Sequence, residues 1–164
     1  MLSKIVIILS KYLSMKKILL AVVLMITTGL VFAQVKNPVK WSFESKKQGN
    51  GTYEVTFTAI LEKGWHIYSQ STPDGGPLPT SFTFTKNPLI TLTGKVSEKG
   101  KLETHFEKLF GVEVKQYADK VVFSQKLKVK ANAKTSLSGE VEFMLCNDRE
   151  CLPPRTVKFS VSLK

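Results

Sequence analysis

Arginine is almost absent from this chain, which is otherwise rich in basic residues. Lys and Arg together number 24 in 164 residues, and only Arg149 and Arg155 are arginines. A nucleic-acid surface clusters basic side chains and usually includes arginine, so nucleic-acid binding is set aside. There are two histidines, His66 and His105, and neither has ligand spacing to another metal-binding residue. Nothing calls for a cofactor or a metal. The two cysteines, Cys146 and Cys151, are too few for a disulfide-dense scaffold or a four-thiolate zinc site. No paired carboxylates and no Ser/His/Asp arrangement suggest a hydrolase. The length rules out a TIM barrel or a polytopic membrane protein.

The one long apolar run lies near the N-terminus. From Met15 the chain reads two lysines, an apolar stretch from Ile18 to Phe32, and Val31-Phe32-Ala33. This is the pattern of a secretory signal peptide, with cleavage expected after Ala33. Residues 1–33 are therefore read as a signal region, with Met15 an alternative start, and 34–164 as the mature domain. An uncleaved anchor helix is the competing reading, but about 15 residues is short for a bilayer. Removing the segment leaves 20 basic against 13 acidic side chains, a net charge of about +7. Lys126, Lys128, Lys130 and Lys158 alternate with apolar residues, so the excess reads as scattered over solvated strand faces.

The mature chain alternates with period two. Tyr53, Val55, Phe57, Ala59 and Leu61 share one face, and Thr52, Glu54, Thr56 and Thr58 the other. The pattern returns at Val121 to Val129, Val141 to Leu145 and Val157 to Leu163, with turn residues such as Gln48-Gly49-Asn50-Gly51 and Pro153-Pro154 between. Seven to nine half-buried antiparallel strands require two sheets packed face to face. The fold class is all-β, an immunoglobulin-like β-sandwich. Residues 101–120 show no clean period and read as a long loop with a helical turn, whose Phe106, Leu109 and Phe110 need something to cover.

Cys146-Asn147-Asp148-Arg149-Glu150-Cys151-Leu152-Pro153-Pro154 is the most informative stretch. Cys146 ends a strand from Gly139, Asn147-Asp148 is turn chemistry, and a second strand follows the prolines. The cysteines thus face one another across a hairpin mouth, at a separation that suits a disulfide. A bridge closing so small a loop restricts the unfolded chain little, which leaves redox chemistry and a structural staple both open. A metal site made from both thiolates with His66 and His105 is a third, weaker arrangement.

The C-x4-C-L-P-P hairpin, Gly64-Trp65-His66-Ile67-Tyr68, the Asp74 to Thr80 loop and Phe110-Gly111 before Tyr117 together resemble the N-terminal periplasmic domain family of the thiol:disulfide interchange protein DsbD. The resemblance spans about Val39 to Leu163. It implies an immunoglobulin-like domain with one redox-active pair, Cys146 and Cys151, in the periplasm. The second cysteine would form the mixed disulfide with partners. Phe110 would shield the pair from a cap loop, and Tyr68 and His66 would line the site, His66 where a familiar member has an aromatic hydroxyl. Asp148 matches an acidic residue of the cysteine loop, although this loop is one residue shorter. The implied partners are a thioredoxin-like or membrane-embedded disulfide reductant and oxidised periplasmic thiol proteins. The sequence as given has neither a membrane nor a thioredoxin-like domain, so the electrons are expected from separate proteins. The rival reading is a non-catalytic secreted β-sandwich with a static disulfide, binding a protein or glycan through Trp65, Tyr68 and Tyr117.

Overall fold

Residues 15–17, 36–130 and 133–164 are described by the computed structural model. The signal-peptide reading and its cleavage point fall mostly outside them. The chain divides into two compact units, Met1–Lys36 and Asn37–Lys164. The second contains nine strands among the described residues: β1 Val39–Gly49, β2 Thr52–Leu61, β3 His66–Tyr68, β4 Ser81–Phe84, β5 Ile90–Glu107, β6 Val112–Val129, β7 Thr135–Phe143, β8 Leu145–Cys146 and β9 Arg155–Leu163. They form two antiparallel sheets, the sandwich that the alternating pattern requires.

β6 is the spine of the larger sheet. One of its edges pairs first with β3 and then with β2, and the other pairs along its length with β5. β1 extends the sheet beyond β2, and β8 extends it beyond β3. The smaller sheet has the order β4-β7-β9. Between the two sheets lies an aromatic core. Phe57 is 4.8 Å from Phe159 and 4.9 Å from Phe82, ring centre to ring centre, while Phe82 packs on Phe123 and Trp41 on Phe143. Gly139 in β7 lets β4 and the Phe159 ring approach closely, since a Cβ there would lie 2.3 Å from the Thr83 carbonyl oxygen and 2.8 Å from the Phe159 ring.

Residues 101–120 are not a loop. They belong to the β5–β6 hairpin, and its tip is the tight turn 108–111. The missing period has a physical cause. Near the tip β6 buries Val114 and Gln116, and farther along it buries Tyr117, Val121 and Phe123, so the inward phase shifts from even to odd positions. The shift occurs at a bulge, where Leu102 pairs with Tyr117 but Gly100 with Val121, and Asp119 takes a positive φ of 58°. β5 lies at the sheet edge and is exposed over most of its length, which removes its pattern as well.

The strand expected from Gly139 to Cys146 also differs. β7 ends at Phe143 in the smaller sheet, and β8 begins at Leu145 in the larger one. The chain changes sheets at Met144, and this sets Cys146 against β3.

Candidate functional site: a disulfide above a buried His-Tyr-Glu network

Cys146 and Cys151 form a disulfide, with Cα atoms 4.1 Å apart. The loop between them is held independently of the sulfurs. Asn147 Oδ1 accepts hydrogen bonds from the Arg149 and Glu150 amides at 2.8 and 2.9 Å, the Asn147 amide donates to the Glu150 carbonyl, and the Leu152 amide donates to the Leu145 carbonyl. Asn is the residue for this turn because its side chain reaches its own backbone two residues on. Cys146 is fully buried, whereas Cys151 is half-buried. Of the two cysteines, Cys151 is the one that keeps some solvent exposure.

Sheet register places His66 opposite Cys146. Tyr68, two residues on, points to the same side and forms one buried cluster with Cys146 and Val114, against which Val112, Met144 and Cys151 pack. The Tyr68 hydroxyl donates to Glu107 Oε2 at 3.2 Å and meets His66 Nε2 at 3.1 Å; His66 Nε2 and Glu107 Oε2 are 3.7 Å apart. The tyrosine has one O–H to donate, and Glu107 accepts it. The histidine's Nε2–H then donates to the phenolic oxygen, the neutral tautomer. Burial is the main cause that holds His66 below the usual histidine pKa; Glu107 and Asp148 pull it up, and His105 pushes it down. Burial first, and then Glu107, raises the Tyr68 hydroxyl.

Glu107 is the site residue that sequence reasoning missed. The signal was present, since a lone acid between Phe106 and the Leu109-Phe110 pair is an odd neighbour, but it pointed nowhere while the segment was read as a loop. As the last residue of β5, Glu107 also organises the tip. Its side chain accepts from the Leu109 amide at 3.4 Å, and its carbonyl accepts from the amides of Phe110 and Gly111. A cleft of about 390 Å³ separates the tip from the cysteine loop, lined by His66, His105, Glu107, Leu109, Asn147 and Asp148 among others. Leu109 is the apolar tip residue on this cleft, 60% exposed; Phe110, its neighbour in the turn, is 36% exposed.

The Asp74 to Thr80 loop backs the site. Thr80 Oγ1 donates to the Tyr68 carbonyl at 2.6 Å. Gly76 lies against β6, where a Cβ would meet Val112 at 3.0 Å. Trp65, Tyr68 and Tyr117 are all buried, so the aromatic binding surface of the rival reading does not exist.

The sequence profile of the family described as thiol:disulfide interchange protein DsbD, N-terminal, matches residues 33–163. The chain belongs to this family. Among solved structures, the N-terminal periplasmic domain of ScsB from Proteus mirabilis is similar at 19% identity and a TM-score of 0.56, covering 83% of this chain and 50% of that one. The reduced DsbD N-terminal domain of Neisseria meningitidis is similar at 16% identity and a TM-score of 0.50, covering 74% and 84%. These likenesses show the shared fold. The chain spans half the length of the ScsB domain. No curated protein sequence matches it.

Proposed function

We propose that the protein is a periplasmic dithiol relay in which Cys146 and Cys151 are the exchanging pair. The observation that carries this reading is the asymmetry of the disulfide, with Cys146 buried beside Tyr68 and His66 and Cys151 partly exposed. A thiolate of the reductant attacks Cys151 Sγ, the Cys146–Cys151 bond breaks, and a mixed disulfide forms through Cys151 while Cys146 takes a proton. The reductant's second thiol then resolves that bond and releases the reduced pair. In the forward step the Cys151 thiolate attacks an oxidised protein's disulfide, and Cys146 displaces that protein as a dithiol. Two electrons and two protons pass in each half-cycle. The reductant is of thioredoxin-like or membrane-embedded type, and the recipients are oxidised periplasmic thiol proteins. The tip carrying Leu109 and Phe110 acts as the cap over the pair.

The test is the reduction potential together with trapping. A relay pair equilibrates well above about −300 mV, and a static staple lies below it. Cys146→Ala, with Cys151 left alone, is expected to accumulate a mixed disulfide that dithiothreitol releases. A potential below that limit with no trapped species would return the pair to a structural role.

A further inference from the structure

The domain's positive charge is not scattered but segregated along the strands. A line across the larger sheet at Glu44, Thr56, Ser124 and Ser97, and across the smaller one at Phe84, Gly139 and Phe159, follows the strand registers. On the cysteine side of it, residues 36–164 carry eleven basic and eleven acidic side chains. From the line outward, leaving aside Lys164, lie eight lysines and two glutamates, Glu44 and Glu54. Lys46 and Lys47 come from β1, Lys126 and Lys128 from β6, and Lys130 directly follows β6. Lys86, Lys95 and Lys134 surround them, and all eight are exposed. Glu54 sits between Lys46 and Lys126 in the ladder. Nearly all of the mature chain's net charge is therefore at the end remote from the disulfide.

That end also exposes apolar side chains, on the face of the larger sheet opposite Lys126 and Lys128, since Leu92 pairs with the inward-facing Leu127. Leu89 and Leu92 are 39% and 41% exposed, beside a recess of about 430 Å³ whose walls include Phe84, Pro88, Ile90 and Leu137. Asn87 fixes the rim, donating to Thr135 Oγ1 and the Ser136 carbonyl and accepting from the Leu89 amide. Both arginines, the side chains suited to bidentate recognition of a shaped partner, lie on the cysteine side. What remains is a field of point charges on β1, β5 and β6 of the larger sheet and in the adjoining connections, with exposed leucines at the same end. Such a surface matches a laterally uniform anionic partner into which apolar side chains can sink.

We infer that this lysine-rich end docks on an anionic phospholipid bilayer, leaving the disulfide facing away from it. From Val114 beside the disulfide to Val129 at the basic end, β6 spans roughly 50 Å, several Debye lengths at physiological salt. The exchange site would stay clear of the headgroups and open to soluble partners.

The experiment is flotation of the purified protein with vesicles of phosphatidylglycerol and phosphatidylcholine at about three to seven, against phosphatidylcholine alone. Binding is expected to the anionic vesicles only and to weaken with salt. Lys126→Glu/Lys128→Glu/Lys130→Glu should lose about tenfold or more in binding, because each lysine near an anionic surface contributes separately. Lys40→Glu/Lys63→Glu/Lys120→Glu makes the same change in net charge on the cysteine side and should lose less than about twofold. If the first variant folds poorly by circular dichroism, the Lys→Gln version of the same triple is expected to show the same ranking. Equal losses from the two triples would reduce the effect to net charge and overturn the inference. So would absence of wild-type binding to anionic vesicles at low salt, or retention on a soluble polyanion such as heparin without vesicle binding. Once reduced, bound protein should react with an impermeant maleimide at the rate of free protein; protection would overturn the orientation.

Discussion

Glu107 is a buried acid whose neighbours account for its place. It satisfies the Tyr68 hydroxyl, faces His66, and accepts from the Leu109 amide, so it couples the floor of the disulfide to the tip above it. Truncating it strands a buried hydroxyl, and Glu107→Ala is expected to destabilise the domain by about 1–3 kcal/mol. Glu107→Gln keeps an acceptor and should cost less; equal losses in urea unfolding would refute the hydrogen-bond account. His66 supplies a pH dependence whose sign is fixed. Its folded-state pKa lies below the ordinary value of 6.5, chiefly through burial, opposed by Glu107 and Asp148 and assisted by His105. Below pH 6.5 the unfolded chain binds the proton more readily than the folded one, so this group's contribution is complete above that pH and is lost as pH falls towards the folded value. The domain should be less stable at pH 5.5 than at pH 7.5, and His66→Gln should shrink the difference. An unchanged difference would place the acid sensitivity elsewhere.

The β5–β6 hairpin carries both Glu107 and the tip proposed as the cap. Leu109 lines the cleft opposite Asn147 and Asp148, with Phe110 next to it in the turn. Leu109→Ala is therefore expected to speed oxidation of the reduced pair by oxidised glutathione severalfold, and Phe110→Ala to do so less. Both residues are well exposed, and each change should cost less than about 1 kcal/mol of stability. Unchanged rates in both variants would remove the cap; a large loss of stability would make the residue part of the core. This hairpin is also where the sequence was hardest to read. β2 and the far half of β6 were legible because each keeps one face inward throughout, as Tyr53 to Leu61 do. The near half was not, because the bulge at Asp119 turns the inward face from odd to even positions and the edge strand β5 buries little. The cysteine hairpin is legible from its spacing and turn chemistry, whereas His66 and Tyr68 enter only through the family resemblance. Glu107 required knowledge of which strand it ended, and the segregation of charge depends on register between strands distant in sequence.

For the whole molecule the question is how far the fold depends on its one covalent link. Cys146 and Cys151 are five positions apart, and on the chain-entropy account a loop this small contributes about 2 kcal/mol. The aromatic core between the sheets does not include either sulfur. The Asn147 turn and the Leu152 to Leu145 hydrogen bond of the cysteine loop do not involve the sulfurs. Reduction should therefore leave the β-sheet circular dichroism unchanged at room temperature and lower the melting temperature by about 10 °C or less. The same independence suits a relay. In the proposed relay the reduced thiols are expected to stay on the same hydrogen-bonded backbone, so that neither half of the cycle would have to rebuild the site. Cys146→Ala/Cys151→Ala should melt within a few degrees of the reduced wild type, about the shift of a 1 kcal/mol change or less. If reduction unfolded the domain at room temperature, the disulfide would be a structural staple, and a cycling role for Cys146 and Cys151 would fail with it.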